Sequence, residues 1–334
     1  MCAPAAKLYR PRNPEASPFY KLVRDHFDEF ERVYDERFQP NYGYWCPAIR
    51  SAMDKFLKCG DVREGFARVR CPDCCKEFFV AFSCKQRCCC PSCDQKRALL
   101  LGMRLAEEVF APVGHRQPVL TMPKRLRILF RTNRRLLAKV CRLARETIRN
   151  GLGQASAHQE GERGLVGAIQ TFGDLIGRHS HGHAIASEGL FKRDGFFIRV
   201  VQVDMERCTA AWRERVFDLL LREDKIDENV VRSMRAWPHS GFSIDNSVQI
   251  TADDAEGMQR LVSHISRCPS SLARMIKVTD DGQVIYRAGK SDCVRFPQPG
   301  DERLREGVSR NFQVLNPLAF LAEVTQHIPG KSPP

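Results

Sequence analysis

The chain has 334 residues, of which 43% are hydrophobic and 28% charged, with a formal net charge of +13. This composition excludes a disordered or fibrous chain, and the length leaves room for two domains. No run approaches the roughly 18 apolar residues of a membrane span. The N-terminal "MCAPAAKLYRPRNPEASPFY" also lacks the apolar core of a signal peptide, so a cytoplasmic protein is expected.

Residues 1–24 are rich in Pro, Ala and Ser near their start and read as a flexible tail. "FYKLVRDHFDEFERVYDERF" has apolar residues at helical spacing, and "PAIRSAMDKFLKCG" predicts a second helix stopped by Gly60. A cysteine-rich knuckle follows. Of the 15 cysteines, seven lie between Cys71 and Cys90, with an eighth at Cys93. Without a secretion signal such crowding points to metal rather than disulfides. Cys71-x-x-Cys74 and Cys90-x-x-Cys93 are separated by 15 residues, a spacing that closes a tetrahedral four-thiolate site. Zinc is the expected ion, iron the second choice, and buried unliganded thiols the plain alternative. A closed site leaves no position for chemistry, so the zinc is structural. The spacing assigns no role to Cys84, Cys88 and Cys89.

Lys85 to Arg149 holds 16 Lys and Arg against 4 Asp and Glu, nearly the whole net charge. Such a segment attracts a polyanion and gains from counterion release, so nucleic acid is the expected partner. A solvated basic face is the bland alternative. Lys85, Arg87, Lys96, Arg97, Lys124, Arg125 and Arg127 are the candidate phosphate contacts. Residues 95–150 read as helical, interrupted by Pro112, Pro118 and Pro123, and 153–164 as a polar Gly-rich loop.

Strands are expected at about 165–173, 180–188 and 195–204, then helices in "ERCTAAWRERVFDLLLRE" and "DENVVRSMRAW". In "GRHSHGHAIASEG" the period of two puts His179, His181 and His183 on one strand face, as a metal site or a merely polar face. The strand "GFSIDNSVQI" precedes a helix near Asp253 with Glu256 as a cap partner, and "MIKVTDDGQVIYRA" is a hairpin turning at Asp281-Gly282. The fold class is α+β: a small, mainly helical zinc-binding domain (25–113), then an antiparallel-sheet, nuclease-like domain with packed helices (114–328), and a short tail (329–334).

"FARVRCPDC", "FSCKQRCCCPSCDQKR", "RHSHGHAIASEG", "HSGFSIDN" and "GVSRNFQVLNPLAFLAEVTQHIP" together resemble the insertion sequence 91 family of bacterial rolling-circle transposases, collinearly from about residue 25 to 328. The resemblance implies a mobile-element transposase that binds single-stranded or hairpin DNA at element ends. It also implies a nuclease site of the His-hydrophobic-His type, in which two histidines hold magnesium or manganese against a scissile phosphate and a tyrosine attacks. His181 and His183 are then the ligands, with His179 or Gln170 as a third. Gly182 stands where the family prefers a bulky apolar residue. Bacterial cytoplasm, with nucleoid association when DNA is bound, follows from the same resemblance.

The nucleophile departs from the pattern. In "GMQRLVSHISRCP" the expected tyrosine position holds His264, and the position of a second tyrosine holds Arg260. The six tyrosines stand at 9, 20, 34, 42, 44 and 286, so Tyr286 is the sole substitute in the nuclease-like domain, and its strand context favours packing. The family's basic, tyrosine-containing tail is also missing after "GKSPP", which together with His264 suggests a degenerate or truncated copy with impaired nicking and strand transfer. The rival reading is a non-catalytic, zinc-dependent nucleic-acid-binding protein. A thiol redox protein is disfavoured because paired knuckles suit tetrahedral metal better than exchange chemistry.

Overall fold

The computed structural model describes residues 13–130, 133–154, 161–173, 175–200, 203–279, 282–288 and 312–330. The expectations for the start of the N-terminal tail, for 155–160 of the polar loop, for Asp281 of the hairpin turn and for 331–334 lie outside the described residues.

Helix α1 (Pro18–Arg32) starts at Ser17, whose side chain accepts the Tyr20 N–H, with Pro18 at the first helical position. Its buried face is Phe19, Leu22, Val23, Phe27 and Phe30. Short helices α2 (Tyr34–Arg37) and α3 (Gln39–Tyr42) lead to α4 (Pro47–Leu57), beyond which Gly60 takes the left-handed backbone, φ 84°. An antiparallel hairpin follows, β1 (Phe66–Arg70) with β2 (Glu77–Ala81), and "CPDCC" forms its turn. Helix α5 (Pro91–Arg104) closes this part.

The basic stretch expected to be helical is not continuous. After α5 come two short strands, β3 (His115–Arg116) and β4 (Val119–Thr121), then α6 (Lys124–Arg127) and the long α7 (Arg134–Gln154). Pairing to a distant strand overrides the local pattern, and Pro118, with no N–H to donate, splits the ribbon in two. The chain continues through β5 (Leu165–Phe172), β6 (Arg178–Ser187), β7 (Gly189–Phe191) and β8 (Phe197–Arg199). Of the strand expected over 195–204 the described residues form the three of β8, and 201–202 lie outside the described residues. Helices α8 (Met205–Arg222) and α9 (Glu228–Arg235) are capped by Asp204 and Asp227. Then follow β9 (Ser243–Asp245), β10 (Gln249–Ile250), α10 (Ala255–Ile265), β11 (Met275–Val278), β12 (Val284–Arg287), β13 (Phe312–Leu315) and α11 (Pro317–Thr325). The cap of α10 is Asp254, which accepts the Gly257 N–H at 2.7 Å, while Glu256 pairs with Arg260 instead.

These elements form an α+β protein of two compact units that are discontinuous in sequence, which a linear partition near residue 113 does not express. The first contains the chain up to Arg97, residues 174–178, and everything from Cys268 onward. Its core joins Phe19, Phe30, Met53 and Phe56 of the N-terminal helices to Tyr286 of β12 and Phe320 and Leu321 of α11. The three antiparallel strands β11–β12–β13 belong to it.

The second unit, 98–173 with 179–267, is built around β6. One edge of β6 pairs with β5. The other takes β3 (His115 opposite Ser187) and β4 (Val119 opposite His183), and β10 and β9 extend these outward. Even-numbered Ala184 and Ala186 join Leu120, Leu136, Val140, Trp212 and Phe217 in the core beneath α7 and α8. Odd-numbered Ile185 packs with Leu261, Val262 and Ile265 of α10. By the same alternation His181 and His183 belong to the α10 face.

Candidate metal centres

In the first unit the thiols of Cys59, Cys84, Cys90 and Cys93 converge, all Sγ atoms lying within 4.8 Å of one another. Cys59 and Cys93 are 3.6 Å apart, Cys84 and Cys93 3.7 Å, Cys59 and Cys90 3.7 Å. Four sulfurs at zinc–sulfur distances of about 2.3 Å have tetrahedral edges of about 3.8 Å, so the cluster has the dimensions of a four-thiolate zinc site. Cys59 leaves the end of α4 just before Gly60, and Cys93 opens α5. The loop between β2 and α5 makes left-handed turns at Lys85 (φ 54°) and Cys88 (φ 56°) to carry Cys84 and Cys90 inward. That loop is tied down by Asp94, which is buried and accepts the Cys88 N–H at 2.7 Å while pairing with Arg97. The Cys84 N–H also donates to Cys59 Sγ at 3.3 Å.

Neighbouring thiols set the protonation of the cluster. A hydrogen bond from Cys84 pulls Cys59 down to about 6, and one from Cys59 lowers Cys93, while Cys84 and Cys90 are raised by sharing protons with Cys59. A metal that takes all four as thiolates would have to displace the protons that Cys84 and Cys90 retain.

Of the four ligands expected from the CxxC spacing, the structure brings together Cys90 and Cys93, with Cys59 and Cys84 as their partners. Cys71 and Cys74 are on the tip of the β1–β2 hairpin, where Cys71 N–H donates to Lys76 O and Cys74 is exposed. Cys89 is buried beside Ala52 and Met53. Sequence reasoning missed Cys59, whose one signal is a Cys-Gly pair ending a helix.

The second cluster is the histidine strand. The rings of His179, His181 and His183 run along one face, with centroids 4.9 and 4.6 Å apart. His181 Nδ1 donates to the His179 carbonyl at 2.8 Å. A carbonyl can only accept, so the proton is on Nδ1 and the Nε2 lone pair faces His183 at hydrogen-bond distance. His181 Nε2 stands 2.8 Å from His183 Nε2. His183 Nδ1 is held at 2.9 Å by the carboxamide of Gln117, a buried residue that sequence reasoning did not single out. Gln117 is two residues before Val119, the partner of His183 across the ladder, so alternation aims it along the histidine face. Burial, then the neighbouring His181 and His264, push His183 down to about 3, so it is neutral at physiological pH.

From α10, the ring of His264 meets that of His183 edge-on at 5.4 Å. Gln170, buried on β5, donates Nε2–H to the His264 carbonyl at 2.7 Å, and its Oε1 is buried with no hydrogen-bond partner. Tyr286 is in the first unit's core, its hydroxyl donating to the Pro269 carbonyl and accepting the Ser271 N–H, both at 3.3 Å. Lys85, Arg87, Lys96 and Arg97 are exposed in the first unit, Lys124 and Arg125 in the second, and Arg127 is half-buried with Nε–H donated to Met122 O.

A closed thiolate centre in one unit and a histidine-lined antiparallel sheet in the other define a zinc-binding α+β protein. Residues 23–122 match the family model of the transposase zinc-binding domain of insertion sequence 91, and residues 164–333, over half of the chain, match the family described as "Putative transposase". The chain therefore belongs to the insertion sequence 91 family of transposases, DNA-binding proteins of mobile elements. No curated protein and no solved structure matches it. Among the described residues no helix is long and apolar enough to cross a membrane.

Proposed function

We propose that this transposase binds single-stranded or hairpin DNA at the ends of its element and holds a magnesium or manganese ion on His181 and His183. In this reading rolling-circle nicking and strand transfer are impaired because His264 replaces the attacking tyrosine. The observation that carries it is the His181–His183 pair. Two Nε2 atoms 2.8 Å apart have the separation of adjacent ligands on one ion with bonds near 2.1 Å, roughly 3 Å. The orphaned buried Oε1 of Gln170 supplies a hard oxygen donor on the neighbouring strand, which favours Gln170 over His179 as third ligand. A bound ion would polarise the scissile phosphate. The chain's own contribution is to present two imidazoles fixed through the His179 carbonyl and Gln117, with burial keeping His183 neutral at physiological pH.

Covalent transfer needs a nucleophile at this face. His264 is there instead of a tyrosine, and the Tyr286 hydroxyl is buried and hydrogen-bonded in the other unit. The test is incubation with manganese and labelled single-stranded DNA carrying an element end, followed by a denaturing gel. The unaltered protein binds this DNA in a salt-sensitive way and forms no covalent adduct, while His264→Tyr begins to form one. An adduct on the unaltered protein that disappears in Tyr286→Phe would overturn the reading.

A further inference from the structure

The position where the family resemblance places a nucleophile holds the imidazole of His264, and its surroundings fix it next to the histidine pair. Leu261 and Ile265, on either side of His264, are buried against the sheet, and the Gln170 side chain bonds the His264 carbonyl. The backbone of this turn of α10 is thus pinned beside β5 while the His264 ring itself is exposed. The ring already touches His183 edge-on, with planes at 87°, so a change of its own side-chain rotamer can turn a nitrogen towards the two Nε2 atoms without moving the helix.

We propose that His264 is a third imidazole ligand of the ion held by His181 and His183, and that the site consequently prefers a late transition ion to magnesium. The inference rests on the reading of His181 and His183 as metal ligands. Three imidazoles are borderline-soft donors that suit cobalt, nickel or zinc, whereas magnesium demands oxygen. Among the described residues neither an Asp or Glu nor His264 in its present rotamer forms a metal-sized cluster with His181 and His183, so the third imidazole comes in by the rotamer change, and oxygen is limited to the Gln170 carboxamide and water. The substitution that removes a nucleophile from this position thereby adds a ligand to it.

The experiment uses the full chain with zinc loaded in the thiolate site, titrated with cobalt(II) and separately with magnesium by calorimetry, with the visible spectrum recorded. One cobalt per chain binds, at least about tenfold more tightly than magnesium, without the sulfur-to-cobalt charge-transfer band that entry into the cysteine site would give. His264→Ala weakens cobalt by roughly tenfold or more and leaves magnesium nearly unchanged, a change in ratio that a merely structural role would not produce. Cobalt affinity unaltered in His264→Ala but lost in His181→Ala would overturn the third-ligand assignment and leave the metal site standing. Binding of neither cobalt nor magnesium to the unaltered protein would overturn both.

Discussion

Replacing Cys59 by serine separates two assignments of the zinc ligands, because Cys59 belongs to the thiol cluster and has no part in the CxxC pairing. Three sulfur–sulfur separations in the cluster, 3.6 to 3.7 Å, match the edges of a zinc–thiolate tetrahedron. Structural zinc sites contribute about 10–16 kcal/mol of binding free energy at neutral pH, and in such sites that energy is folding energy. One ligand of four then carries roughly 3 kcal/mol, or about two orders of magnitude in zinc affinity. The loss has a further cost here, since Cys59 follows α4, whose Met53 and Phe56 are in the first unit's core. The assay is zinc content by atomic emission after dialysis against a weak chelator, with the rate of release to a colorimetric chelator. Cys59→Ser loses its zinc at chelator concentrations that leave the unaltered protein loaded. Cys71→Ser, which changes a hairpin-tip residue, keeps it. Zinc retained in Cys59→Ser and lost from Cys71→Ser would refute the cluster as the zinc site.

Gln117→Leu leaves His183 Nδ1 buried with no partner and removes what orients the ring, so affinity for the ion at the histidine pair should fall by about 10- to 100-fold at unchanged zinc content; calorimetry with manganese reads it, and unchanged affinity would remove Gln117 from the site. Gly182→Val should stabilise the second unit by roughly 1 kcal/mol, seen as a higher urea midpoint. A Cβ at Gly182 meets nothing closer than the Leu120 side chain at 3.9 Å, and a cavity of about 260 Å³ lined by Leu120, Leu137, Val140 and Trp212 is alongside to receive the methyl groups. A lowered midpoint would mean that the cavity does not take them.

What could be read from the sequence was what is encoded locally. The buried stripe of α1, the Gly60 stop after α4, the histidine face of β6 and the apolar face of α10 each follow from a period of 3.6 or 2 within one segment. What could not be read was set by partners distant in the chain. Residues 115–121 become strands because they pair with β6 more than 60 residues later, and no helical or strand period in so short a segment announces it. Half of the thiol cluster, Cys59 and Cys84, escaped reading for the same reason, while Cys90 and Cys93 were read from their motif. CxxC is a local motif, whereas the cluster joins a helix end at Cys59 to a loop at Cys84, and the hairpin that carries Cys71 and Cys74 is inserted between them. Gln117 has no sequence signal at all, since its meaning is its register opposite β6.

The two centres differ in how much each tolerates change, and this bears on what a substituted nucleophile does to such a protein. The thiolate cluster is closed and enters the folding energy of its unit, so losing one of its ligands costs the fold. His264 is exposed on a helix whose packing is carried by Met258, Leu261, Val262 and Ile265, so a histidine or a tyrosine at this position costs the fold nothing that these residues do not supply. Chemistry at the α10 face can therefore drift while DNA-binding architecture persists. The converse holds for Gln117 and His183, which are buried and hydrogen-bonded to each other, so that changing either alone strands a polar atom in the sheet. The Gln117–His183 bond therefore holds the histidine face in place whatever residue stands at position 264.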